Sequence, residues 1–137
     1  MIAGELLSLS DLENNILRSR FVEPRIHFAI NCASASCPPL RAEAYTAARI
    51  GPQLQEQAEL FNRAFGGARW NAKEKKLTLS MIYDWFPGDF TRNTTIPGYV
   101  VQFEEAPVAA EIKAAGLDNV AVEFENYDWS LNDVNSK

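Results

Sequence analysis

The chain is sparing with the residues that most often do chemistry. It holds one histidine and two cysteines in 137 residues. Two cysteines do not make a disulfide scaffold. They allow one bridge, one metal half-site or two free thiols, and they leave the compartment open. A zinc site built on both would need two further ligands, and there is a single imidazole to offer, so no metal is expected. No cofactor is expected either. No lysine precedes Lys73, so the cations of the first half are arginines, Arg18, Arg20, Arg25, Arg41 and Arg49 among them. No apolar run approaches the length that spans a bilayer. The opening MIAGELLSLSDL lacks a basic n-region and a long h-region, so a signal peptide is not expected there. A net charge of -5 argues against a nucleic-acid partner. There is no internal repeat, low-complexity tract or linker. With 47% hydrophobic and 23% charged residues, residues 1–137 suit one compact domain.

What chemistry there is lies concentrated. The segment Arg25 to Leu40, RIHFAINCASASCPPL, contains the histidine and both cysteines. Its first part, Ile26 to Asn31, is a short apolar run after a proline turn and reads as an interior strand. The Ala33-Ser34-Ala35-Ser36 stretch and Pro38-Pro39 then force an irregular loop. On a strand, His27, Ala29 and Asn31 share one face, and Phe28, Ile30 and Cys32 the other. His27 and Cys32 would then stand about 16 Å apart. Cys37 is the better partner for His27, because the loop can fold back along the strand. The plain alternative is a core histidine bonded to a carboxylate or carbonyl. The cysteines are expected to lie close together and off the open surface, as a bridge, as structural thiols or as a reactive thiol.

Charge is unevenly spread. Residues 1–76 hold ten Lys+Arg against eight Asp+Glu, and the remaining 61 hold three against ten. Arginine favours fixed bidentate contacts with carboxylates. The plain expectation is that these arginines pair with the acidic second half. The sharper one is that Arg25 or Arg41 favours a thiolate or an anionic ligand, with Asn31, Ser34 and Ser36 as further ligand-binding candidates. Ser34 and Ser36 lack the glycine-flanked nucleophile elbow, so a serine hydrolase is not expected. Two aromatic and acidic patches, Tyr83-Asp84-Trp85-Phe86 with Asp89-Phe90 and Tyr127-Asp128-Trp129, read first as core. Asp84 or Asp128 is the expected carboxylate for His27, as the third member of a triad orients its base.

Around these residues the pattern predicts a helix over 9–20, N-capped by Ser8 with Asp11 at N3. A second helix carries Leu54, Ala58 and Phe61 on its buried side, with Thr46 as cap and a break or leading turn before Pro52. A hairpin joins residues 68–72 and 76–79. Ser80 caps a short helix through Trp85, stopped by Pro87-Gly88. A polar loop over 91–97 precedes helices at 99–105 and 107–115, the second ended by Gly116. Val120, Val122 and Phe124 mark a half-buried strand, and the tail after Asn132 should fray.

Taken together, LSDLENNILR, RIHFAINCASASCPPL, LSMIYDWFPGDF and YDWSLN resemble domain of unknown function 547. The resemblance runs from about Leu7 to Asn132, with the four blocks in order. Domains of that family are longer, with an upstream helical half, so the resemblance implies that this chain corresponds to the second half. The family is similar to papain-like and transglutaminase-like thiol hydrolases. That similarity implies a partial fold of that kind, with His27 and Asp128 matching the last two catalytic roles in chain order. The first role would fall in the missing half or to Cys37.

The expected fold is α+β: a small sheet containing strands near residues 26–31 and 120–124, packed by several helices. Two functions remain open. One is a thiol-dependent hydrolase or transferase, with Cys37 or Cys32 as nucleophile, His27 as base, Asp128 or Asp84 as orienter and backbone amides as oxyanion donors. The other, preferred for this chain, is a non-catalytic binding or scaffolding module. An uncovered apolar face around the first helix predicts a homo-oligomer or the missing half as partner. No small-molecule or peptide ligand can be named from the sequence.

Overall fold

The computed structural model describes residues 4–133. The fold is α+β, with short helices set around a three-stranded mixed sheet. Residues 9–20 are helical, as expected, and Asp11–Arg18 is wound as a π-helix. Asp11 N–H donates to Ser8 Oγ at 3.0 Å, and Ser8 N–H returns a bond to Asp11 Oδ2 at 3.0 Å. This is capping-box logic with Asp in the place of Glu. No residue of the π-helix is buried.

The main departure from expectation comes next. Residues 26–31 do not form a strand. Pro24–Phe28 is a 3₁₀-helix, and the sheet does not include this segment. Pro24 supplies a φ suited to a first helical position, where its missing N–H is no loss. The Glu23 side chain caps the turn by accepting Arg25 N–H at 3.1 Å. A short apolar run does not by itself distinguish a buried strand from a buried helical turn. The turn buries two successive residues, His27 and Phe28, where a strand would have put them on opposite faces.

Helix α1, Ile50–Ala64, buries Leu54, Ala58 and Phe61 as the periodicity demands, and with them Gln53, Gln57 and Asn62. Buried amides need partners. Gln53 Nε2 donates to Ala44 O at 3.0 Å while its Oε1 accepts Thr46 N–H at 3.0 Å. Gln57 Nε2 donates to Pro39 O at 2.5 Å. The chain from Pro39 to Thr46 is thereby fixed along α1. Thr46 does not cap the helix. A turn over 46–49 leads in, and Arg49 takes the N-cap position without a side-chain bond.

Strands β1 (Ala68–Asn71) and β2 (Lys76–Leu79) form the expected hairpin, and β3 (Ala121–Phe124) joins β2 in parallel. A Cβ on Gly67 would meet the Phe61 ring at 2.7 Å and Asn62 Cα at 2.8 Å, so only glycine lets α1 and β1 approach this closely. The half-burial expected of β3 is met in part: Val120, just before the strand, is buried and Phe124 is half-buried against the core, but Val122 is exposed. Helix α2, Met81–Trp85, is capped by Ser80 Oγ as expected. Pro87 does not end the helical path but starts α3, Pro87–Phe90. Helix α4, Ile96–Val100, begins earlier than expected because Thr95 caps it and Pro97 fits its first turn. Helix α5, Ala106–Ala115, ends at Gly116 with φ 84°, as read.

The core is aromatic. Phe28 is fully buried, with ring centroids 5.3 Å from Phe61, 5.7 Å from Tyr83, 5.9 Å from Phe90 and 6.1 Å from Phe103. Of the tail expected to fray after Asn132, Asp133 is described, with its N–H on Leu131 O at 3.0 Å, and 134–137 lie outside the described residues. Among the described residues, no helix is long and apolar enough to cross a membrane.

Candidate functional site

The 3₁₀-turn and α3 build the first part of the site. His27 Nε2 stands 2.8 Å from Asp89 Oδ2, and Arg18 Nε donates to that same oxygen at 2.8 Å. Phe86 stacks on the imidazole at 4.3 Å with an interplanar angle of 17°, and Phe90 lies tilted at 5.3 Å. The Arg18 guanidinium sits 4.5 Å from the centroid of that same Phe86 ring. The π-helix is thus pinned to the body by one carboxylate and one ring.

Protonation follows from the surroundings. Burial lowers the His27 pKa, outweighing the pull of Asp89 in the opposite direction. Burial opposes the Asp89 carboxylate, but bonds from Arg18 and His27 outweigh it and hold its pKa below the usual value. Near neutrality the pair is therefore a neutral imidazole donating from Nε2–H to an ionised carboxylate, which can only accept.

His27 does meet a carboxylate, but neither of the two expected ones. Asp84 is exposed on α2. Asp128 is also exposed; its carboxylate accepts Ser130 N–H at 2.9 Å, and its backbone N–H donates to Ser36 Oγ at 2.9 Å. Asp89 lies in the Pro-Gly stretch that the sequence marks as a helix stop. Nothing local singles it out, because its bond to His27 spans 62 positions.

The second part is the cysteine loop. Cys32 and Cys37 are free thiols with sulfurs 2.8 Å apart. Closeness was expected, but concealment of both was not met: Cys37 is buried and Cys32 is exposed. Cys32 N–H donates to Cys37 Sγ at 2.8 Å. The Cys32 sulfur has Ser34 Oγ at 3.1 Å and Tyr127 Oη at 3.4 Å, and Ser34 Oγ donates to Tyr127 Oη at 3.0 Å. Asn31 clamps the loop, donating to Pro38 O and accepting Ala33 N–H, each at 2.8 Å. The segment 127–132 straps it from outside, with Ala35 N–H on Ser130 O at 2.8 Å and Asn132 N–H on Ala33 O at 2.8 Å. Tyr127 also belongs to an aromatic trio with Trp85 and Trp129, at 4.7 and 4.6 Å.

The two parts do not join. His27 makes no hydrogen bond to either thiol. The arginine candidates are engaged elsewhere. Arg25 binds Glu23 at 2.6 Å and Gln55 at 3.2 Å, and Arg41 binds Glu43 and Glu56, each at 2.5 Å. Pairing across the two halves, expected of the arginines generally, is made by Arg18 with Asp89 and by Arg69 with Glu125. Among the described residues, no three His, Cys, Asp or Glu side chains converge as a metal site requires.

A third feature lies beside the first helix, where the sequence predicts an uncovered apolar face but not its walls. Leu17, Phe21, Ile26, Ile30, Ile50 and Leu54 line an apolar groove of about 560 Å³ between the end of the first helix, the 3₁₀-turn and α1. Tyr45 lines it too, its hydroxyl buried without a hydrogen-bond partner.

No curated protein and no solved structure matches the chain. Residues 1–61 match the family described as "Protein of unknown function, DUF547", a stretch that takes in the His27 turn, the cysteine loop and the groove, and the chain is consistent with a domain of that family.

Proposed function

We propose that this chain is a non-catalytic binding module that associates with a second copy of itself through the apolar groove. The observation that carries the reading is the state of His27. Its Nε2 is bonded to Asp89, Phe86 stacks on its ring, and among the described residues neither thiol shares a hydrogen bond with it; the Cys32 sulfur faces Cys37, Ser34 and Tyr127 instead, so base and nucleophile are not paired as a thiol hydrolase needs. The groove, by contrast, is open. Its lining residues all fall within 1–61, and two of them, Phe21 and Ile50, are exposed. Such continuous apolar surface marks interaction sites.

A second copy is the occupant because the chain supplies both halves of the contact. Leu6, just ahead of the first helix, and Leu9, at its start, are 90% and 83% exposed, and the end of that same helix walls the groove. Where knob and hole lie on one patch, two copies can each seat the other's leucines about a two-fold axis. Analytical sedimentation across micromolar concentrations tests this. The expected result is a monomer–dimer equilibrium that Leu9→Glu and Phe21→Glu each shift to monomer. A wild type that stays monomeric throughout sinks the reading.

A further inference from the structure

We propose that Cys32 and Cys37 form a redox-active dithiol that exchanges with disulfides, Cys32 attacking and Cys37 resolving. This goes beyond the binding reading and does not depend on it.

Access assigns the roles. The sulfurs lie 2.8 Å apart, yet an incoming disulfide meets only the exposed Cys32, while Cys37 waits behind it, buried. Two hydroxyls, Ser34 and Tyr127, stand around the Cys32 sulfur where they can donate to a thiolate. The loop is held in this shape. Ala33 has φ 62°, in the left-handed region that a residue with a Cβ rarely takes. It stays there because Asn31 accepts its N–H and its carbonyl accepts Asn132 N–H. Electrostatics agree with the geometry. Burial opposes the Cys32 thiolate, but the bonds from Cys37, Ser34 and Tyr127 outweigh it and bring the pKa to about 7. Burial and the neighbouring thiol push Cys37 up to about 11. The accessible sulfur is thus the nucleophile at neutral pH, and the proton stays on the resolving one.

The chemistry balances with a disulfide as the sole co-reactant. Cys32 thiolate attacks one sulfur of RS–SR′, forming Cys32–S–SR and releasing R′S⁻. Cys37 gives its proton to that leaving thiolate and attacks the Cys32 sulfur. The Cys32–Cys37 bond forms and RS⁻ departs, taking up the proton that Cys32 had lost to solvent. Two thiols are oxidised by two electrons and one disulfide is reduced to two thiols.

The test uses oxidised glutathione and, in parallel, a cystine-bridged peptide, with intact mass and peptide mapping as readouts. The wild type is expected to end as an internal Cys32–Cys37 disulfide. Cys37→Ser is expected to stop at a mixed disulfide on Cys32, and Cys32→Ser to take up neither probe. Iodoacetamide on the untreated wild type orders the sulfurs without any variant, and Cys32 must react first. A Trp129→Ala change that slows the peptide arm alone identifies polypeptide disulfides as the natural source. Equal rates in both arms identify small-molecule disulfides. The proposal fails if the wild type stays a dithiol with both probes, if Cys37 is alkylated first, or if Cys32→Ser reacts as fast as wild type.

Discussion

His27 and Cys32 are five positions apart, and they live in opposite surroundings. The histidine is 5% exposed, stacked on an aromatic ring and bonded to a carboxylate that a distant arginine shares. The cysteine is exposed, ringed by hydroxyls and held by a loop that owes its shape to backbone bonds. One is where the π-helix and α3 are locked to the core. The other is where the chain keeps a nucleophile within reach of solvent. The difference teaches that reactive residue types clustered in sequence need not share a site. The 3₁₀-turn decides their fates, because it sends His27 into the core and leaves the following loop outside.

The locked region should dominate stability. Phe28 touches four other rings and has no exposure. Phe28→Ala should cost about 3–5 kcal/mol, measured by urea denaturation. A cost under about 1 kcal/mol would mean that the aromatic cluster is not the core. Asp89→Ala comes next. It strands a buried imidazole N–H and a half-buried guanidinium, each bond to a charged group being worth about 1.5–3 kcal/mol. The comparison is broken if Asp89→Ala also changes the rate at which Cys32 is alkylated, since the two regions share no hydrogen bond.

Acid should act on the same region. Because the folded His27 pKa is lowered from 6.5, the unfolded chain takes up the proton first. Stability is therefore complete above about pH 6.5 and falls as the pH drops below it. Asp89, lowered from 3.8, adds a second loss below that value. The groups acting on His27 are Asp89, Arg18 and Glu13. Midpoints of urea denaturation across pH 4 to 8 should show the upper limb in the wild type and lose it in His27→Gln. An unchanged upper limb in that variant would assign the titration to another group.

Much of the fold was legible before the structure. The cap at Ser8, the hairpin, the Ser80 cap and the Gly116 stop are all local signals, written within four residues of where they act. What failed was decided at long range. The residue 26–31 run had strand composition, but tertiary packing of His27 and Phe28 favoured a 3₁₀-turn. The Asp89 partnership and the groove depend on elements brought together from different parts of the chain. The closeness of the cysteines could be expected because only four small residues separate them. The exposure of one and burial of the other could not, since the strap at 127–132 closes over the loop from ninety residues away.

The smallest expected effect is the most diagnostic for the open region. Tyr127→Phe removes one hydroxyl that faces both Cys32 and Ser34. The ring stays, and with it the packing on Trp85 and Trp129. Stability should fall by no more than about 1 kcal/mol, the net worth of an ordinary hydrogen bond. The thiol should respond more clearly. The Tyr127 bond is one of the contacts that bring Cys32 down to about 7. Its loss favours the protonated form, so the midpoint of the alkylation rate against pH should move upward. Ser34 and Cys37 still act on the sulfur, so part of the lowering should survive. If the midpoint stays where it is, Tyr127 is a packing residue beside the thiol. Should it rise while the urea midpoint hardly moves, reactivity and stability in this chain are set by separate regions.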